Sequence, residues 1–143
     1  MDGGCHCGNI LVDLQIAGAP ETYHPRACDC DFCRKHRAAY VSDPHGSLAI
    51  HIKDPALSSR YHQGHGVTDF LICSNCGVLV AVLHRSDECL YAAINANAIG
   101  GSTGFGAEQP VSPVKASSLF DPSAVLPKTQ NGMEAIGIER CDF

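Results

Sequence analysis

Seven of the nine cysteines fall into three short clusters whose spacing is typical of metal ligands. The clusters read Cys-His-Cys-Gly at 5–8, Cys-Asp-Cys-Asp-Phe-Cys at 28–33 and Cys-Ser-Asn-Cys-Gly at 73–77. Zinc takes four tetrahedral ligands and binds thiolate sulfur well. Two cysteines a few positions apart on a tight turn can direct both sulfurs towards one ion. Gly8 and Gly77 suit such turns because glycine adopts positive φ without penalty.

Four of these cysteines form a candidate closed site. The first pair, Cys5 and Cys7, comes directly before one predicted strand. The second pair, Cys73 and Cys76, comes directly before another. Two strands that meet at their starts would bring both pairs together as a four-thiolate structural zinc site. The alternative is a redox CxxC or loose buried cysteines. The presence of a second cysteine pair directly before another strand argues against that alternative.

The remaining cluster, Cys28, Cys30 and Cys33, offers three of the four ligands that zinc needs. Three protein ligands with one exchangeable position are the pattern of a catalytic zinc site. Two alternatives stay open: a histidine closes the site and makes it structural, or the second site binds no metal. The histidines that could close it are His24, His36, His62 and His65.

Basic residues follow the three-cysteine cluster at once: Arg34, Lys35, His36 and Arg37. They could simply neutralise the thiolates or form a solvated helix face. Alternatively, they could bind the carboxylates of an acidic, thiol-bearing ligand next to the metal. Soft thiolate surroundings favour the exchange of one more sulfur ligand over vigorous activation of water.

Composition narrows the class of protein. The chain has 143 residues, which suits a single domain, and 45% of them are hydrophobic. The formal charge of −5 argues against nucleic acid as a partner. No apolar run approaches the ~20 residues of a membrane helix, and the N-terminus lacks the pattern of a signal peptide. We therefore expect a cytoplasmic protein that contacts no membrane, in which a high cysteine content indicates metal or redox chemistry instead of disulfides.

Period-two alternation of apolar residues predicts a mainly β domain with little helix. In residues 10–16, for example, Ile10, Val12 and Leu14 share one face. Residues 100–132 are rich in glycine and proline and are predicted to be irregular. The predicted strands span 10–16, 40–42, 47–52, 68–72, 78–83, 90–96 and 135–139, and the predicted helix runs from Asp31 to about Arg37.

Taken together, the three clusters resemble the glutathione-dependent formaldehyde-activating family, which also includes the centromere protein V domain. The order, residue types and spacings agree over residues 3 to about 97, and the polar segment Asn95-Ala-Asn97 is similar too. The resemblance implies a β-tent of small antiparallel sheets built around zinc, in a single domain over 3–143 whose part from 98 to 143 is irregular. The chain departs from many members in having no tryptophan.

The resemblance also implies two zinc ions per chain. The structural ion would be held by the four-cysteine set and the catalytic ion by the three-cysteine set. The expected activity is that of a carbon–sulfur lyase on a small thiol–aldehyde adduct like S-hydroxymethylglutathione, with glutathione as a small-molecule partner. Asp29, Asp31 or His36 could shuttle the proton. The alternative is a non-catalytic, zinc-stabilised module that binds a protein partner.

Overall fold

Ten strands and one short α-helix are present in the part of the chain that the computed structural model describes, which is residues 1–62, 68–85 and 90–111. The helix is α1 (Asp31–His36), and short 3-10 turns lie at Pro20–Thr22, Pro55–Leu57 and Ala96–Ala98. The strands are β1 (Asp2–Gly4), β2 (Ile10–Gln15), β3 (Arg26–Cys28), β4 (Ala39–Val41), β5 (Ser47–Ile52), β6 (Ser58–His62), β7 (Thr68–Cys73), β8 (Leu79–Arg85), β9 (Leu90–Asn95) and β10 (Gln109–Val111).

A three-stranded antiparallel sheet in the order β1-β2-β5 forms from the segments with the clearest alternation. On β2 the odd-even pattern buries Ile10, Val12 and Leu14 and leaves the residues between them more exposed. Val12 pairs with Ile50 of β5, whose apolar residues alternate in the same way. One face of this sheet therefore packs into the core, as the period of two predicts.

A second sheet has seven strands in the order β10-β3-β4-β9-β8-β7-β6. Its pairs are antiparallel except for β10, which lies parallel to β3. The mainly β, single-domain prediction is confirmed, but this sheet is larger than the small antiparallel sheets expected and is mixed. The loop between β9 and β10 takes the chain to the outer edge beside β3, and β10 runs in the same direction as β9 and β3, so that this last pair is parallel.

The local predictions agree with the structure where the pattern was strong. The predicted helix exists as α1, and the strands predicted near 10–16, 47–52, 68–72, 78–83 and 90–96 are all present. Short or polar strands such as β1, β3, β6 and β10 escaped prediction because they carry little apolar alternation. The strand predicted at 135–139 lies outside the described residues. Among the described residues, no helix is long and apolar enough to span a membrane.

The core has two clusters of buried side chains, and each contains cysteines. The larger one joins the inner face of the small sheet to Leu71, Val80 and Leu83, and it includes Cys5 and Cys73. The smaller one, which includes Cys28 and Cys33, lies on the seven-stranded sheet. Both cysteine clusters are therefore anchored in packed regions of the fold.

Candidate functional site

Cys5, Cys7, Cys73 and Cys76 come together in the structure, as the sequence predicts. Their four sulfur atoms all lie within 4.8 Å of one another. The Sγ of Cys7 is 3.6 Å from that of Cys5 and 3.5 Å from that of Cys73. These separations are close to the edge of ~3.8 Å expected for a tetrahedron with Zn–S bonds of ~2.3 Å, and far longer than a disulfide.

Two similar turns present these four sulfurs. In each, the N–H of the first cysteine, Cys5 or Cys73, donates to the carbonyl five residues later, at 2.8 and 3.0 Å. In each, the closing glycine, Gly8 or Gly77, donates its N–H back to that cysteine's carbonyl. Both glycines have φ of +77°, a conformation that side chains resist. The repeated turn explains why a CxC and a CxxC can form matching halves of one site.

The pKa values of these thiols differ strongly from one another. A hydrogen bond with the Asn75 side chain lowers the pKa of Cys7 to about 6. Burial raises the pKa of Cys73 to about 12. The four sulfurs therefore do not ionise together on their own, and a bound dication would compensate for ionising all four. The donor set and the S···S distances both fit zinc.

Cys28, Cys30 and Cys33 form the second cluster, again with all sulfurs within 4.8 Å of one another. Cys28 is the last residue of β3, Cys30 caps the start of α1, and Cys33 lies in its first turn. The Sγ of Cys30 accepts from the N–H of Cys33 at 3.4 Å. The hydroxyl oxygen of Tyr40, on β4, lies 3.3 Å from the Sγ of Cys33. A strand end, a helix start and a neighbouring strand thus build this site.

Burial dominates the electrostatics of the second cluster. It raises the pKa of both Cys28 and Cys33. Burial opposes ionisation of Cys30 as well, but hydrogen bonds with Cys33 and Cys28 together outweigh it and lower its pKa. Burial also raises the pKa of Tyr40, so its hydroxyl keeps its proton and can donate it to sulfur. Three sulfurs suit a soft metal such as zinc and leave one tetrahedral position for another ligand.

Three of the histidines considered as a fourth ligand have other neighbours. Nδ1 of His24 is 2.9 Å from the carbonyl oxygen of Ala107, and Nδ1 of His62 is 2.7 Å from a carboxylate oxygen of Asp69. The ring of His36 packs against Phe32 with centroids 4.7 Å apart. Within residues 1–62, 68–85 and 90–111, no imidazole or carboxylate joins the three sulfurs. His65 lies outside that range.

A cavity of about 210 Å³ borders the second cluster. Arg34, one of the predicted binding residues, lines it. Lys35 does not; its Nζ is 2.7 Å from Asp31 on the exposed face of α1. That ion pair lowers the pKa of Asp31. The complete lining is Ala27, Cys28, Cys33, Arg34, Arg37, Ala38 and Glu108.

Two residues at this site were missed in the sequence: Tyr40 and Glu108. Arg37, the last residue of the predicted basic run, lines the cavity as Arg34 does. Tyr40 lies in a short predicted strand, but nothing local showed that its hydroxyl would meet Cys33. Glu108 is far along the chain and reaches the cavity because β10 pairs with β3. The sequence carried no signal for it.

The polar segment Asn95-Ala-Asn97 makes hydrogen bonds to residues next to the site. The Nδ2 of Asn95 donates to the carbonyl of Leu79, and its Oδ1 accepts from the N–H of Ala39. The Nδ2 of Asn97 donates to the carbonyl of Arg37 at 2.8 Å. The bonds of Asn95 link β9 to β8 and β4, and the bond of Asn97 links the turn after β9 to the residue that ends α1. They are positioning contacts for residues next to the cavity.

Comparisons with known proteins agree with this architecture. Residues 1–109 match a family model described as glutathione-dependent formaldehyde-activating enzyme. The crystal structure of a Rhodobacter sphaeroides protein, a structural genomics target, is similar to this chain with a TM-score of 0.54 and 23% sequence identity. The similarity covers 71% of this chain and 90% of the other. The comparison with curated proteins found no match. The structural likeness supports the fold, and the family match extends beyond residue 97 to include Glu108.

Proposed function

Because the chain belongs to the glutathione-dependent formaldehyde-activating enzyme family, we propose that it is a zinc-dependent carbon–sulfur lyase. Its substrate would be an adduct of a small thiol and an aldehyde, such as S-hydroxymethylglutathione. The observation that carries this proposal is the three-sulfur cluster of Cys28, Cys30 and Cys33. Among the described residues it lacks a fourth ligand, and it borders a cavity with cationic side chains.

The two cysteine clusters would divide the roles of metal between them. Four thiolates saturate a tetrahedral ion, so that the first cluster would stabilise the fold. Three thiolates leave room for a substrate sulfur at the second cluster. When bound there, zinc favours the thiolate form of a substrate thiol. The structural set is Cys5, Cys7, Cys73 and Cys76, and the catalytic set is Cys28, Cys30 and Cys33.

The reaction itself is an addition. The thiol loses its proton, a sulfur–carbon bond forms to the aldehyde carbon, and the carbonyl oxygen takes a proton to become a hydroxyl. The reverse breaks the same bond and releases the aldehyde. Arg34 would hold an anionic group of the thiol beside the cluster. Of the candidates for moving the proton, Asp31 is paired with Lys35, which leaves Asp29 and His36 better suited.

Tyr40 would act as a positioning residue. Its buried hydroxyl, only 1% of the residue being exposed, lies 3.3 Å from the Sγ of Cys33. A hydrogen bond to a ligating sulfur orients it and reduces its charge. This contact would hold the sulfur in place while the exchangeable position is filled.

A rate measurement tests the proposal. Zinc-loaded protein is mixed with glutathione and formaldehyde, and adduct formation is followed by NMR against protein-free solutions containing the same zinc. We expect acceleration by the wild type and none by the Cys30→Ser variant. If saturating wild-type protein leaves the rate unchanged for glutathione and other common thiols, the chain is not this lyase.

The non-catalytic binding module remains the competing function, and the same variant separates the two. If the second site is purely structural, the protein should unfold when Cys30 is replaced. If the site is catalytic, the variant should lose one zinc and keep its fold. We propose a reducing, cytoplasmic setting for the lyase because all seven cysteines of the two clusters are free thiols.

A further inference from the structure

The cavity beside the second cluster carries both signs of charge. Arg34 and Arg37 line it together with Glu108. All three residues are exposed, while Cys28 and Cys33 at its inner end are buried. Although they share one cavity, none of the three charged side chains has an ion-pair partner within 4 Å in the described part of the chain. Their charges are therefore available to a ligand.

Arg37 adopts a backbone conformation that an arginine resists. Its φ of 48° and ψ of 39° are left-handed, and in the described residues it is the one non-glycine residue with positive φ. Glycine is the usual residue at this position after a helix. The carbonyl of Arg37 is held by the Nδ2 of Asn97 at 2.8 Å. An unfavourable backbone that is held in place, with its side chain lining a cavity, points to a role for that side chain.

Glu108 reaches the cavity through the parallel pairing of β10 with β3. The N–H of Gln109 donates to the carbonyl of Pro25 at 2.8 Å, and the N–H of Asp29 donates to the carbonyl of Val111 at 3.0 Å. This register places Val111 opposite Cys28. The carboxylate directly before β10 is thus carried on a hydrogen-bonded edge strand next to the cysteine cluster.

The size of the cavity limits what it can bind. Pockets that enclose whole small ligands have volumes of ~300–1,000 Å³, and this one has about 210 Å³. It suits one amino-acid-sized end of a larger molecule whose sulfur lies at the cluster. Cations and an anion that line the same cavity favour an end that carries both charges.

We propose that Arg37 and Glu108 determine specificity by binding an α-amino-acid group of the thiol substrate. Arg37, with Arg34, binds the carboxylate, and Glu108 binds the ammonium group. In glutathione these two charges are on the γ-glutamyl end. The inference rests on the proposed function only in taking the substrate to be a thiol that approaches the second cluster.

Equilibrium binding tests this inference independently of turnover. Zinc-loaded protein is titrated calorimetrically with glutathione, with γ-glutamylcysteine, which keeps the γ-glutamyl end, and with cysteinylglycine, which lacks it. We expect the first two to bind with similar affinity and cysteinylglycine to bind at least tenfold more weakly, because it loses charge-assisted hydrogen bonds. Equal affinity for all three, or tighter binding of cysteinylglycine, overturns the proposal.

Variants then assign the effect to the two residues. Arg37→Gln and Glu108→Gln should each weaken glutathione binding about tenfold or more and reduce the discrimination against cysteinylglycine. Arg60→Gln is the control, since Arg60 is not among the residues that line the cavity and its guanidinium lies 3.8 Å from a carboxylate oxygen of Asp69. It should leave the affinity unchanged. If Arg37→Gln weakens binding no more than Arg60→Gln, Arg37 has no such role.

Arg37→Gly adds a readout that a purely structural residue would not give. Because glycine relieves the left-handed backbone, this variant should melt at the same or a higher temperature while it binds glutathione more weakly. A lower melting temperature with unchanged affinity would contradict the proposal. Selective binding of glutathione without catalysis would contradict the lyase proposal and support this inference. Catalysis that Arg37→Gln and Glu108→Gln leave unchanged would support the lyase proposal and contradict this inference.

Discussion

The Sγ of Cys7 lies 3.5 Å from the Sγ of Cys73, although 66 positions separate the two residues. The contact joins the turn before β2 to the turn after β7, and it therefore links the small sheet to the large one. A metal ion held at this point would close a long loop as well as join two parts of the core. The first cluster thus has the geometry of a structural centre.

Replacing Cys73 should be far more damaging than replacing Cys30. Cys73 is fully buried, and Cys73→Ser should remove one zinc and most of the ~10–16 kcal/mol that a structural zinc site contributes to folding. Cys30→Ser should remove the other zinc and lower stability only slightly, since serine keeps an oxygen at the start of α1. Metal content and thermal unfolding of both variants measure this. Equal losses of stability would contradict the division of roles.

Chelation should remove the two metals in sequence. The three-sulfur site has a position open to a competing ligand, so that it should lose zinc first, with little change in circular dichroism. The four-sulfur site should release its zinc more slowly, and the protein should unfold as it does so. Zinc release followed with a colorimetric indicator, in parallel with far-ultraviolet circular dichroism, provides the measurement. Unfolding that accompanies release of the first zinc would contradict this order.

Tyr40→Phe should impair the second site while leaving the fold nearly intact. The variant keeps the buried ring and removes the hydroxyl that lies 3.3 Å from the Sγ of Cys33. Loss of one such hydrogen bond should cost about 1 kcal/mol of stability, and loss of the partner of a ligating sulfur should lower zinc affinity or activity about 10–100-fold. Tyr61→Phe is the control, because Tyr61 stacks on Phe32 through its ring. Equal effects of the two variants would show that the Tyr40 hydroxyl has no role in the second site.

The effect of Tyr23→Phe on the free energy of unfolding should depend on pH, at a position outside the metal sites. The Tyr23 hydroxyl donates to Oδ2 of Asp43 at 2.6 Å, and this bond raises the pKa of the phenol above its ordinary 10.0. A raised pKa means that the stabilisation is fully present below pH 10 and is lost as the pH rises through the raised value. At neutral pH the variant should be about 1 kcal/mol less stable than the wild type.

Urea unfolding of the wild type and Tyr23→Phe at several pH values tests this dependence. The difference between the free energies of unfolding of the two proteins should stay constant from neutral pH up to about pH 10, where the free phenol ionises, and narrow above it. A difference that grows at alkaline pH would show that the hydrogen bond does not stabilise the protonated phenol.

Local patterns in the sequence were sufficient to predict much of the fold. Alternating apolar residues predicted β2 and β5 because a strand that buries one face needs a period of two. The turn glycines Gly8 and Gly77 marked the halves of the first cluster because their left-handed backbone suits few other residues. The grouping of four and three sulfurs followed from ligand counting, since zinc takes four ligands.

Only the tertiary structure brought Tyr40 and Glu108 to the second cluster. The sequence places Tyr40 on a strand and Glu108 in an irregular segment, and neither position suggests a contact with Cys28 or Cys33. The antiparallel pairing of β3 with β4 and the parallel pairing of β3 with β10 bring them there. Strand pairing depends on packing between distant parts of the chain, and local periodicity therefore does not predict it. The sequence by itself therefore determined which sulfurs could act together and which basic residues follow them, and the fold determined that Tyr40 and Glu108 lie beside them.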